Sequence, residues 1–237
     1  MSDLSKARED LVIANRVLAN EGVLDAFGHV SVRHPEQPDR FIMSWARSPE
    51  LIEDGDLLEF TLDGTLIGED DRMPYIERFI HGAVYEARPD AMAVCHSHTL
   101  EILPFSISKT VKLRPVVHTG AIVGREVPVW DIAPEFGSNT DLLVRNMAHG
   151  RSLAKALGSG SLALMRGHGC VVAQENVFKM IMASVNMKKN AQVQLAAAQL
   201  GGDIIPLSEG EIRTNIESTT GASGGRQWEY WKRRAGL

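Results

Sequence analysis

The chain has 237 residues, 44% apolar and 23% charged, with a net charge of −5 and a pI near 5.9. That is enough to bury a sizeable core in one large or two small domains. It excludes the clustered basic character of a nucleic-acid binder, since "WKRRAGL" is the only dense basic patch. The two cysteines, Cys95 and Cys170, lie close to histidines in apolar stretches, which argues against a disulfide framework and for a reducing compartment. "MSDLSKARED" has no apolar leader core, and no apolar run approaches the roughly 18–20 residues of a membrane span. A cytoplasmic location, with no membrane or nucleic-acid partner, is the expectation.

"LSKAREDLVIANRVLANEG" spaces Leu4, Ala7, Leu11, Ala14 and Leu18 as a helix closed by Gly22. "FGHVSVRHP" alternates like a strand, and "RFIMSW" reads as its partner across "HPEQPD". "DLLEFTLDGTLIG" predicts a hairpin turning at Asp63-Gly64. "MPYIERFIHGAVYEA" predicts a helix with Pro74 near its first turn and Ile76, Phe79, Ile80, Ala83 and Val84 as its buried stripe. "AMAVCHSH" reads as a buried strand, and "LRPVVH" and "REVPVWDIA" as short extended pieces. A helix is predicted over "NTDLLVRNMAHGRSLAKAL", opened by Asn139 or Thr140. "LALMRGHGCVVA" reads as a strand broken at Gly167 and Gly169. The run from Asn176 to Gly201 predicts a long helix with a glycine C-cap. A glycine-rich loop, "TTGASGG", and an aromatic, basic tail follow; "GASGG" lacks a Walker lysine and a preceding strand, so it is read as a loop rather than a phosphate cradle. Strands and helices intermingle without repeats, predicting one α/β domain over residues 1–237, with a core near 5–205 and a tail over 206–237.

The chemistry concentrates in the middle of the chain. Residues two apart on a strand face one side, so His96 and His98 point together, as two metal-ligating imidazoles do or as two hydrogen-bonded histidines at a strand end do. His168, between two glycines, is a candidate third ligand; the bland alternative is a buried histidine bonded to a carbonyl. Glu77 offers a carboxylate that would ligate or serve as general acid or base; otherwise it is a helix-start glutamate complementing the dipole. Such a set accepts Zn²⁺, Mn²⁺, Fe²⁺ or Co²⁺.

"PYIERFIHGAVYEARPDAMAVCHSHT" followed by "LMRGHGCVVA" resembles the class II aldolase/adducin family over roughly residues 5–205. The resemblance implies a three-layer αβα sandwich around a mostly antiparallel sheet. It implies one divalent metal per subunit, Zn²⁺ or Mn²⁺ before Fe²⁺ or Co²⁺, on His96, His98 and His168, with Glu77 as catalytic acid/base. It also implies homotetramers with sites near subunit interfaces, and a structural role for His81.

Where the sugar-phosphate members carry "GN", "TG" and "SSE", this chain has "GHVS", "SWARS" and "YIE", so a phosphate is not expected. Trp45 and Tyr75 offer surfaces for a planar substrate, Arg47 and Arg166 bidentate carboxylate contacts, and His29, Ser44 and His118 further hydrogen bonds. This second pattern, with "RPVVHTGAIVG" and "PVWDIA", resembles the branch that decarboxylates dihydroxyphthalate, hydroxypyridine dicarboxylate or carboxylated 2-hydroxymuconic semialdehydes. The expected function is a metal-dependent carboxy-lyase of aromatic compound catabolism, releasing CO₂ through a metal-bound enolate. The alternatives are an aldolase on an unphosphorylated hydroxy-keto acid and a non-catalytic, adducin-like module, which would have lost the ligands. Trp228, Tyr230 and Trp231 would either dock on a neighbouring subunit or pack locally.

Overall fold

Strands β1 (His29–Arg33), β2 (Arg40–Ser44), β3 (Leu57–Thr61), β4 (Ala93–Ser97), β5 (Val129–Trp130), β6 (Leu162–Met165) and β7 (Gly169–Gln174) form one sheet in the order β3-β2-β1-β4-β7-β6-β5. Every pairing is antiparallel except β5 with β6. The computed structural model describes residues 2–218 and 223–237. Its helices are α1 (Asp3–Asn20), α2 (Arg78–Ala87), α3 (Leu103–Ile107), α4 (Ala133–Phe136), α5 (Met147–Leu157), α6 (Val177–Gln199), α7 (Glu209–Ser218) and α8 (Ser223–Arg234). One core joins α1, α6 and Trp231 of α8 to one face of the sheet; a second joins α2 and α5 to the other. The result is the expected three-layer αβα arrangement.

Helix ends follow local chemistry. Ser2, Asn146 and Asn176 cap α1, α5 and α6 by accepting from the amides of Ser5, His149 and Lys179. Strand β1 shows how patterning is used. All five residues are buried, so its alternation does not separate core from water. Val30 and Val32 enter the α1/α6 core, while His29 and Ser31 hydrogen-bond to His81 of α2. The polar face of β1 is an interior polar layer.

Several predicted elements differ. Helix α2 begins at Arg78, four residues after Pro74, which instead forms a bridge to Trp45. Ile76 therefore lies outside the helix and is 46% exposed rather than part of its buried stripe. Helix α5 begins at Met147, because Asn146 is the capping residue and 139–145 is loop. "LALMRGHGCVVA" is a hairpin of β6 and β7 turning at Arg166–His168, with Gly167 at φ +65°. At the Asp63-Gly64 turn the returning arm keeps only a Phe60–Leu66 bridge. "LRPVVH" lies outside the sheet and leads into a 3-10 segment, His118–Val123. Of the predicted glycine-rich loop, residues 219–222 lie outside the described residues, and Gly225 already belongs to α8.

Candidate metal centre

Four side chains from three places in the chain converge at one end of the sheet. His96 ends the α2-facing row of β4, His98 follows that strand, His168 sits in the β6–β7 turn, and Glu77 immediately precedes α2. The turn reaches β4 because position 169 is glycine: a Cβ there would lie 2.2 Å from the Ser97 carbonyl oxygen. One ligand atom from each of the four residues lies within 4.8 Å of the others. His96 Nε2 and His98 Nε2 are 3.0 Å apart, and Glu77 Oε2 is 3.4 Å from both His96 Nε2 and His168 Nε2.

The proton inventory fits a ligand set. His96 Nδ1 donates to the Cys170 carbonyl at 3.0 Å, and His168 Nδ1 to the Leu142 carbonyl at 3.0 Å. His98 Nδ1 lies 3.1 Å from Asp25 Oδ2. With each Nδ1 proton directed at an acceptor, each Nε2 carries a lone pair toward the common centre. Lone pairs crowded at 3.0 Å repel unless a cation lies between them, so the donor set fits a divalent metal. Burial would raise the Glu77 carboxyl. The adjacent His96 and His168 imidazoles outweigh this and hold it well below the usual carboxylate range. Its Oε1 accepts from the Val144 amide at 2.9 Å. Burial opposes charge on His168, but the adjacent Glu77 carboxylate outweighs this and raises its pKa.

A cavity of about 590 Å³ opens onto this cluster, bordered by Phe27, His29, Met73, Tyr75, Leu142 and the turn at Gly167. Tyr75 stacks a tilted ring 4.6 Å from His29 and donates its hydroxyl to the Arg47 carbonyl, with Ser44 as a further partner. His29 and Tyr75 are thus beside the cluster, and Ser44 is behind Tyr75. The other sequence candidates lie elsewhere. Arg47 Nη1 and Trp45 Nε1 both bind Asp56, at 2.6 and 2.8 Å. Arg166 pairs with Asp131 at 2.6 Å. His118 lies on a second, larger cavity between α6 and α8, beside Phe178 and Trp228. Among the described residues, neither lysine nor arginine lines the cavity at the cluster. The arginine clamps expected from the sequence are therefore not assembled at this site by one subunit.

Asp25, Leu142 and Val144 were not singled out by the sequence. Asp25 had a local signal: its side chain accepts from the Phe27 and Gly28 amides, a turn that an Asp before a glycine permits. Leu142 and Val144 act through backbone atoms and leave no compositional trace. Leu142 is the one described non-glycine residue at positive φ, +67°, so backbone strain sits where the loop meets the site.

A family model described as Class II Aldolase and Adducin N-terminal domain matches residues 9–195. The decarboxylase tropJ of Talaromyces stipitatus is 36% identical over 239 residues, 92% of this chain and 89% of that protein. The 3,4-dihydroxyphthalate decarboxylase of Arthrobacter keyseri is 26% identical over 217 residues, 87% of this chain and 84% of the relative. An L-fuculose 1-phosphate aldolase from Glaciozyma antarctica PI12 superposes with a TM-score of 0.78 at 24% identity, over 98% of this chain and 89% of that one.

Proposed function

We propose that this chain, which belongs to the class II aldolase and adducin family, is a metal-dependent decarboxylase of a hydroxylated aromatic dicarboxylate or a related ring-cleavage acid. The observation that carries the reading is the convergence of three lone-pair-bearing imidazole nitrogens and one ionised carboxylate at an open cavity. Two decarboxylases among its relatives support the reaction class.

His96, His98 and His168 would hold the metal, with Glu77 within reach of it. Bound there, a divalent ion would supply Lewis acidity to an oxygen beside the breaking C–C bond. Glu77, a carboxylate within reach of the same ligand atoms, would accept a proton from a substrate hydroxyl. When the carboxylate leaves as CO₂, the bonding electron pair stays on carbon, and Glu77 returns the proton to that carbon. Tyr75 and Phe27 give the cavity flat walls suited to a planar ring. His29 offers a ring nitrogen to the ligand.

We further infer a homotetramer with its sites near subunit interfaces. Phe27 and Met73 at the cavity mouth are 71% and 72% exposed, apolar surface that a neighbouring copy would cover. Cationic groups missing from the cavity would then come from that neighbour.

The test is CO₂ release from a panel of hydroxylated aromatic dicarboxylates, beginning with 3,4-dihydroxyphthalate, by metal-supplemented protein. Stoichiometric CO₂, abolished by a chelator and restored by metal, is expected. An aldehyde product from hydroxy-keto acids with no CO₂ from any dicarboxylate would overturn the decarboxylase reading in favour of aldol cleavage.

A further inference from the structure

Behind the metal cluster runs a buried chain of hydrogen bonds that the proposed reaction does not use. Tyr85 OH is 2.8 Å from Ser31 Oγ, Ser31 Oγ 2.6 Å from His81 Nδ1, and His81 Nε2 2.7 Å from His29 Nδ1. All four residues are at most 2% exposed. His29 alone of the four lines the cavity.

Each link can run in either direction, but the ends are unequal. The Tyr85 hydroxyl has one acceptor among the described residues, Ser31 Oγ; the other group against its oxygen is the Val94 amide, itself a donor. If Ser31 donated to Tyr85, the tyrosine proton would be buried without a partner, a penalty that disfavours this direction on the order of ten- to a hundred-fold. Tyr85 therefore donates to Ser31, and Ser31 to His81 Nδ1. His81 then carries its proton on Nε2 and donates to His29 Nδ1. His29 must carry its own proton on Nε2, the nitrogen left without a protein partner among the described residues. At the cavity end either direction could be satisfied by solvent or ligand, so the tyrosine end decides.

We propose that His29 is a specificity-determining hydrogen-bond donor, fixed as the Nε2–H tautomer by His81, Ser31 and Tyr85, which selects a carboxylate or phenolate oxygen of the ligand. The three residues behind it are positioning residues. All four side chains are buried and each is hydrogen-bonded within the chain, an environment that disfavours charge on either histidine. The same wiring explains why His29 is no metal ligand although its ring lies 5.0 Å from that of His96: its Nδ1 is committed to His81 and its Nε2 carries a proton. A neutral N–H donor adds a directional contact beside whatever charged groups the assembled site supplies. It recognises an oxygen acceptor and rejects an ammonium or amide N–H at the same position.

The identity of the ligand rests on the decarboxylase reading; the tautomer does not. Neutron diffraction from deuterium-exchanged crystals of the full, zinc-loaded chain reads it directly. Deuterium on Nε2 of both His29 and His81 is expected, and deuterium on His29 Nδ1 would overturn the proposal. Kinetics on 3,4-dihydroxyphthalate read the donor. His29→Phe should raise KM by roughly ten-fold or more with metal content unchanged, the loss expected for a hydrogen bond to a charged oxygen. His29→Gln, whose carbonyl can accept from His81 and whose amide can donate to the cavity, should recover most of that loss. An unchanged KM in His29→Phe would also overturn the proposal. Absence of turnover by the wild type on this probe would count against the decarboxylase reading, and the neutron result would decide the donor alone.

Discussion

Glu77 concentrates the chemistry of the site in one side chain. It is 7% exposed, faces two imidazoles through Oε2, and is anchored through Oε1 by the Val144 amide. That anchor orients the carboxylate without neutralising it, so a change of charge alone should be selective. Glu77→Gln should keep the fold and bound metal but lower kcat by about 10²–10⁴-fold, as loss of a general acid/base does. Near wild-type turnover would remove Glu77 from proton transfer. The clustering of His96, His98, His168 and Glu77 was legible from the spacing of the histidine pair, the glycines flanking His168 and the family resemblance that joins Glu77 to them. Arg47, Arg166 and His118 were read from chemistry without distance, and each has another place in the subunit: Arg47 on Asp56, Arg166 on Asp131, His118 on the cavity beside Trp228. Spacing along a strand predicts a neighbour two residues away, but nothing in it tells which acid a surface arginine will meet.

At the level of elements, β4 and the long α6 followed their periodicity, while boundaries moved where a cap or turn outweighed it. The helix expected from Asn139 starts after Asn146 instead, and the intervening loop supplies the Leu142 carbonyl and the Val144 amide to the site. The strand expected across Arg166–His168 is a hairpin, and that fold-back is what carries His168 to His96. The tail is the other informative element. Trp231 on α8 is 2% exposed, in the core with α1 and α6, with Phe178 6.3 Å away. Arg234 adds an ion pair to Glu21 at 2.7 Å. Local packing therefore accounts for Trp231, while Tyr230, 55% exposed, remains available to a neighbour. Trp231→Ala should cost about 3–5 kcal/mol, the range for emptying a large buried aromatic site. Denaturant unfolding would measure it, and a loss under ~1 kcal/mol would show that α8 does not support the core.

For the whole molecule, the sheet divides the work. Both faces carry apolar core, but the α2 face also holds the buried polar layer of His29, Ser31 and His81 and ends in the cluster that could hold a metal. One subunit thus provides a His/Glu cluster that could hold a metal and a cavity of about 590 Å³, with no arginine or lysine in its wall among the described residues. In the proposed tetramer, the exposed Phe27 and Met73 at its mouth would be covered by another copy. Native mass spectrometry should find four chains; a monomer retaining full activity would show that the cavity is complete by itself. No described helix is long and apolar enough to cross a membrane. The assembly was not legible from the residues, because one chain's pattern specifies which surface is apolar and not what covers it.

The most direct test is the metal content of the purified full chain, by inductively coupled plasma mass spectrometry after growth with mixed divalent metals. The wild type should hold about one divalent transition metal per subunit. His96→Ala and His168→Ala, still folded by circular dichroism, should hold little. A wild type that retains no such metal, or variants that retain it fully, would contradict the assignment of His96, His98, His168 and Glu77 as a metal centre.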